Sequence, residues 1–180
     1  MFYFINGLTL ARIILSPLIL MPWYFSGEWT WYVSSFVFIC LSLTDFFDGH
    51  LARKYNLTSD FGKLFDPIGD KVMVLFGMVI LTVSKEVNPA FILIILSRDF
   101  LINGLRSYAA SVGRVIAARP LGKYKATLQM IAIPLLLLPQ DAFGLPTVRM
   151  GQVALILSVV FSITSAFDYV LSYKKTSVDR

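Results

Sequence analysis

Apolar positions in this chain gather into six long runs separated by short polar breaks, at residues 8–24, 31–47, 61–83, 89–108, 127–138 with its flanks, and 148–173. A helix needs about 20 residues to cross the hydrocarbon core of a bilayer, so the pattern predicts an all-α integral membrane fold of six transmembrane helices. No internal repeat, low-complexity tract or linker interrupts it, and residues 1–180 read as one transmembrane domain. The fifth run contains Pro134 and is followed by Pro139. A proline inside a helix removes a donor and crowds the preceding turn, so a kink at Pro134 and a stop at Pro139 are expected.

Composition agrees with the pattern. At 57% hydrophobic residues and mean hydropathy +0.72, the chain is excluded from the class of ordinary soluble domains. Its cations sort by side. Arg12, then Arg53, Lys54, Lys63 and Lys71, then Arg106, Arg114, Arg119, Lys123 and Lys125, and finally Lys174, Lys175 and Arg180 fall on one set of connections, whereas the opposite loops hold only Lys85 and Arg149. The positive-inside rule puts both termini and the second–third and fourth–fifth connections in the cytoplasm, which an even helix count also requires. Trp23, Tyr24, Trp29, Trp31 and Tyr32 mark the opposite interface. A net charge of +5 then needs no nucleic-acid partner, since basic loops orient the chain and attract anionic lipid. Cys40 is the lone cysteine, for which a packing role is expected. The start of the chain carries no basic leader with a cleavage site, so the first helix is expected to stay in the mature protein. The sequon at Asn56-Leu57-Thr58 is discounted because its loop is placed in the cytoplasm.

The chemistry-bearing residues interrupt the apolar pattern as D-x2-D-G-x2-A-R-x8-G-x3-D-x3-D, filled by Asp45, Asp48, Gly49, Ala52, Arg53, Gly62, Asp66 and Asp70. On a helix, Asp45, Asp48, Gly49 and Ala52 stand at i, i+3, i+4 and i+7 and share a face; Gly62, Asp66 and Asp70 do the same on the next helix. Two pairs of acids can therefore meet across one seam. Four uncompensated carboxylates at mid-depth would cost on the order of 10 kcal/mol, and mutual repulsion adds to this. A cation is the natural remedy. An oxygen-only ligand set suits Mg²⁺ or Mn²⁺ over Zn²⁺, and four acids can bridge two ions about 3.5–4 Å apart. His50, the only histidine, falls two residues after Asp48 and faces elsewhere on the wheel; Phe46 and Phe47 likewise face away.

This pattern resembles the signature of the CDP-alcohol phosphotransferases, membrane enzymes that move a phosphoryl-linked group from a CDP-activated donor onto an alcohol. Asn6, Leu8, Thr9 and Arg12 are similar to the family's first-helix motif. The resemblance implies that Gly49, Ala52, Arg53 and Gly62, with Asn6 and Thr9, take the CDP donor, although Arg53 could equally pair with an acid of its own cluster. It implies that Asp45, Asp48, Asp66 and Asp70 hold the metals, that Asp70 is also the base, and that the enzyme is a homodimer.

The acceptor is read from a second cluster. Arg98-Asp99 interrupts the fourth run, and Arg106, Arg114, Arg119, Lys123 and Lys125 follow without an intervening acid. Such a string can form a phosphate pocket, since Arg offers a fork and Lys a point charge; for Arg114 the orientation role suffices. Asp99, Asn103 and Arg106 share a stripe at i, i+4 and i+7. The region is similar to the phosphatidylglycerophosphate synthases of that family in Gly122, Lys123, Lys125 and Gln129, with Ala126 where Thr is usual. The resemblance implies CDP-diacylglycerol as donor, glycerol 3-phosphate as acceptor, and Arg98, Arg106, Arg119, Lys123 and Lys125 around the acceptor phosphate. The site would open to the cytoplasm, in a bacterial inner membrane. The competing readings are a sibling activity on inositol phosphate, serine, choline or phosphatidylglycerol, an intramembrane prenyltransferase, and an acid-lined cation carrier.

Overall fold

The computed structural model describes residues 2–54, 60–84, 87–112 and 120–178, with side chains described from residue 7 to 47 (Thr9 apart), 68 to 84, 87 to 112 and 122 to 169. Every described element is helical: α1 (Phe2–Leu15), α2 (Met21–Tyr24), α3 (Trp29–Lys54), α4 (Asp60–Val83), α5 (Pro89–Ser111), α6 (Pro120–Leu137) and α7 (Thr147–Val178). Five of the six apolar runs correspond to one long helix each. The first does not. A 3₁₀ stretch at Ser16–Leu20 separates α1 from α2, because Pro17 and Pro22 stand in the opening turns of the two later pieces and neither offers an N–H to the turn before it. Pro134, by contrast, lies within α6, which continues to Leu137. The carbonyl of Pro134 accepts from Ser35 Oγ of α3 at 2.9 Å, so the helix that should have been weakest there is tied to its neighbour.

The core forms where α3, α4, α6 and α7 converge. Phe38, Met73, Met78, Leu81, Ile133, Leu136, Leu137 and Leu155 are fully or almost fully buried. Two glycines permit the closest approaches. A Cβ on Gly77 would lie 2.6 Å from Ile133 Cγ2, and one on Gly151 would lie 2.6 Å from Leu136 Cγ and 3.1 Å from the Ala132 carbonyl oxygen. Small residues at helix contacts are a common packing device in membranes.

Polarity is inverted relative to a soluble protein. Thr30, Ser34, Ser35, Ser158, Ser162, Ser165, Arg12, Lys125 and Gln129 are buried, while Ile14, Phe36, Phe46, Leu93, Phe100, Leu101 and Phe167 are exposed. By length and composition, Trp29–Phe47 and Thr147–Tyr169 are long and apolar enough to cross a membrane. Asp45 lies near the end of the first of these spans, and the other charged residues described at the candidate site stand on α1, α4, α5 and α6.

Candidate active site

Three helices meet at the first group. Arg12, in the last turn of α1, is almost wholly buried at 1% exposure. Its Nη1 lies 2.6 Å from Asp45 Oδ1 on α3 and 3.2 Å from Asp70 Oδ1 on α4. The Arg12 carbonyl accepts from Ser16 Oγ at 2.6 Å, and the guanidinium stem passes over Gly69, where a Cβ would be in ordinary contact at 3.6–3.8 Å. Of the two pairs of acids expected to meet across a seam, one member of each, Asp45 and Asp70, converges on an arginine from a third helix. Asp45 and Asp70 keep 27% and 40% of their side chains accessible, so each presents oxygen outward as well. No three His, Cys, Asp or Glu side chains cluster among the described residues. Asp48 and Asp66 lie outside the described side chains, as do Asn6, Thr9, Gly49, His50, Ala52, Arg53, Gly62 and Arg119.

The second group joins α5, α6 and α7. Asp99 accepts from Arg98 Nη1 at 3.1 Å and pairs closely with Lys125 Nζ. Arg98 is also held by α7, donating from Nε to the Ser162 carbonyl at 3.2 Å and from Nη2 to Ser165 Oγ at 2.6 Å. A cation within an apolar segment needs such partners. Arg98 therefore has N–H groups left over on its Nη atoms, but its position is set by Asp99 and α7. Arg106, further along α5, pairs with no acid among the described residues, and neither does Lys123. At the α4–α5 contact, Lys71 Nζ stands 5.8 Å from the centroid of the Phe100 ring.

One cavity connects the two groups. A space of about 310 Å³ is lined by Asp70 of α4, by Arg98, Asp99 and Arg106 of α5, and by Lys125 and Gln129 of α6. A neighbouring cavity of about 280 Å³ shares Arg98 and Arg106 and adds Lys123, Ser165 and Tyr169. The cavity pair thus has Asp70 and Lys71 of α4 on one wall and several cations, with Asp99 among them, on α5 and α6, an arrangement that can deprotonate one group of a small molecule while holding an anionic group of the same molecule.

Four contributors are not evident as such from the sequence. Arg12 reads there as an orientation charge and one letter of a motif, yet an arginine inside an apolar run calls for a partner. Ser162 and Ser165 belong to a stripe with Ser158 at i, i+4 and i+7 on α7, a spacing visible in the sequence. Gln129 reads only as one letter of a motif.

The family model described as CDP-alcohol phosphatidyltransferase matches residues 3–164. A Rickettsia felis protein named CDP-diacylglycerol–glycerol-3-phosphate 3-phosphatidyltransferase is 38% identical over 173 residues, covering 94% of this chain and 94% of its own. Proteins of the same name from Rickettsia typhi, 36% identical over 165 residues with 91% and 93% covered, and from Bacillus subtilis, 36% identical over 182 residues with 94% of each covered, are similar to the same extent. The matched span runs from α1 into α7 and includes every described residue that lines the acidic and cationic groups up to residue 164, and on this evidence the chain belongs to the CDP-alcohol phosphatidyltransferase family.

Proposed function

We propose that this chain transfers the phosphatidyl group of CDP-diacylglycerol to glycerol 3-phosphate, giving phosphatidylglycerophosphate and CMP. The observation that carries this reading is the single cavity lined by Asp70 and by Arg98, Arg106 and Lys125. The relatives' names state the same donor and acceptor, and a cation-rich wall favours a phosphorylated alcohol over serine or choline.

In this reading the acceptor phosphate sits against Arg106, Lys123 and Arg119, with Arg98 and Lys125 contributing charge from fixed positions. The acceptor's terminal hydroxyl reaches Asp70, whose carboxylate takes its proton as the oxygen attacks the β-phosphorus of the donor. The bond from that phosphorus to the bridging oxygen breaks, and CMP leaves with the electron pair. No covalent enzyme intermediate is required. Gly49, Ala52, Arg53 and Gly62, with Asn6 and Thr9, take the donor's CDP portion.

The donor set fits a pair of Mg²⁺ or Mn²⁺ ions. It is oxygen-only, Asp45 and Asp70 already converge on one Arg12 nitrogen, and both carboxylates remain partly accessible. Asp45, Asp48, Asp66 and Asp70 would hold the ions, which when bound neutralise the diphosphate and its leaving oxygen. The same reading places six spans in a bacterial inner membrane, with both termini and the cavity on the cytoplasmic side, and the active form as a homodimer.

The test is product analysis. Purified protein given CDP-diacylglycerol, Mg²⁺ and glycerol 3-phosphate is expected to form a lipid with the mass of phosphatidylglycerophosphate together with CMP. Transfer to inositol phosphate but not glycerol 3-phosphate would replace the acceptor, and release of pyrophosphate from a prenyl diphosphate would replace the reaction.

A further inference from the structure

The two cavities at the candidate site adjoin, and the residues they share mark the passage between them. Arg98, Asn103 and Arg106 of α5 and Gly122 and Ala126 of α6 line both. Gly122 and Ala126 stand one turn apart on one face of α6, and a Cβ on Gly122 would meet nothing within 4 Å, so the α6 side of the passage is open. Asp70 lines only the cavity of about 310 Å³, and Lys123 only that of about 280 Å³. A molecule that reaches from Asp70 to Lys123 crosses this passage.

Asn103 is the one shared residue whose side chain is polar and uncharged. It stands one turn after Asp99 and one before Arg106 on a single face of α5, the face from which Asp99 meets Lys125 of α6. Its backbone is engaged within the helix, its surface is partly accessible, and its side-chain amide forms no hydrogen bond among the described residues. The amide's donor and acceptor are both open to a bound molecule.

Such an amide does what no other side chain of the passage can. It donates through its N–H groups and accepts through its carbonyl oxygen at once, whereas Arg98 and Arg106 only donate. Asp99 can accept, but it lines only the first cavity and is already held by Arg98 and Lys125. A phosphate asks only for donors and suits the arginines and Lys123; a neutral hydroxyl both donates and accepts and suits the amide. A three-carbon acceptor with its reacting hydroxyl at Asp70 and its phosphate among the cations has one polar group in between, the central hydroxyl, and the passage is where that group falls.

We infer that Asn103 is a specificity-determining residue that hydrogen-bonds the acceptor's non-reacting hydroxyl. The inference rests on the proposed transfer to glycerol 3-phosphate and adds to it the group that recognises the middle of the acceptor. Because Asn103 is half-buried and water can take the hydroxyl's place, discrimination against an acceptor lacking it should fall well short of the factor of about 10⁴ or more reached where such groups are left unpaired.

The experiment compares glycerol 3-phosphate with 3-hydroxypropyl phosphate, which keeps the phosphate and the reacting hydroxyl and lacks the central one. Rates of CMP release from CDP-diacylglycerol with Mg²⁺ are measured for the full-length protein and for Asn103→Leu, a near match in shape, and Asn103→Ala. The unsubstituted protein is expected to prefer glycerol 3-phosphate by about tenfold in kcat/KM. In both variants kcat/KM for glycerol 3-phosphate should fall by about tenfold, with that for 3-hydroxypropyl phosphate and the KM for CDP-diacylglycerol within about twofold of the unsubstituted values, so the preference collapses. An absent preference in the unsubstituted protein, a preference that survives in both variants, or an equal loss on both acceptors would overturn the assignment, the last because a merely structural role moves both together. These outcomes leave the transfer reading standing, since each still includes CMP release with glycerol 3-phosphate. If the unsubstituted protein releases no CMP with glycerol 3-phosphate, the transfer reading itself fails and takes this assignment with it.

Discussion

Arg12 is the least exposed charged residue described, and it is the group that holds Asp45 and Asp70 beside one another. Replacing it by Ala leaves two facing carboxylates without their shared partner; because both are partly accessible, the expected loss of stability is about 1–3 kcal/mol, below that for a fully buried pair. Thermal unfolding in detergent without divalent cation checks this. Asp70 has a different role in the account. Asp70→Asn keeps size and shape and removes the proposed base, so transfer should fall by about 10²–10⁴-fold while the helical circular dichroism is unchanged; full activity would remove Asp70 from the mechanism. The acids are legible in the sequence because helical spacing puts them on shared faces. Their link to Arg12 is not, since Arg12 and Asp70 are 58 positions apart and a cation near the start of an apolar run reads equally as an orientation signal. The grip of Ser165 on Arg98 is hidden for the same reason, being a contact across 67 positions.

Among the helices, apolar runs locate five of the six long segments, because run length and helix length follow the same bilayer requirement. They do not foresee the 3₁₀ break after α1, which the prolines at 17 and 22 produce, nor the Ser35 hydroxyl that holds the Pro134 carbonyl, although the stop expected at Pro139 agrees with the end of α6 at Leu137. Which glycines set the packing is also beyond periodicity. The motif draws attention to those beside the acids, whereas the close approaches in the described core are at Gly77 and Gly151. Gly77→Ala should cost about 1–3 kcal/mol, since its Cβ would meet the branched Ile133 within a packed core. Gly69→Ala should not, because the added methyl finds only ordinary contacts with Ile13 and Arg12. Unfolding midpoints of the two variants side by side separate these expectations; equal loss in both would mean that the helix contacts are wrongly assigned.

Taken whole, the molecule turns an apolar exterior outward and keeps its hydroxyls, Arg12, Lys125 and Gln129 inside, which is how a chain solvated by lipid would expose its side chains. The proposed orientation can be checked on a Cys40→Ser background, where no other cysteine remains. With a membrane-impermeant maleimide, Ser84→Cys is expected to label from outside the inner membrane and Ser177→Cys only after lysis; the reverse pattern would invert the topology and move the cavity away from a cytoplasmic nucleotide.

In the proposed mechanism one cavity, lined by Asp70 and Arg106, serves two tasks, with Asp70 at the reacting hydroxyl and Arg106 at the acceptor phosphate. Steady-state kinetics of Arg106→Ala with both substrates varied tests that division most directly. Loss of a charge-assisted contact worth about 1.5–3 kcal/mol should raise the KM for glycerol 3-phosphate by about ten- to a hundredfold and leave the KM for CDP-diacylglycerol within about twofold. An unchanged KM for glycerol 3-phosphate, or an equal rise for both substrates, would contradict the assignment of this cavity to the acceptor.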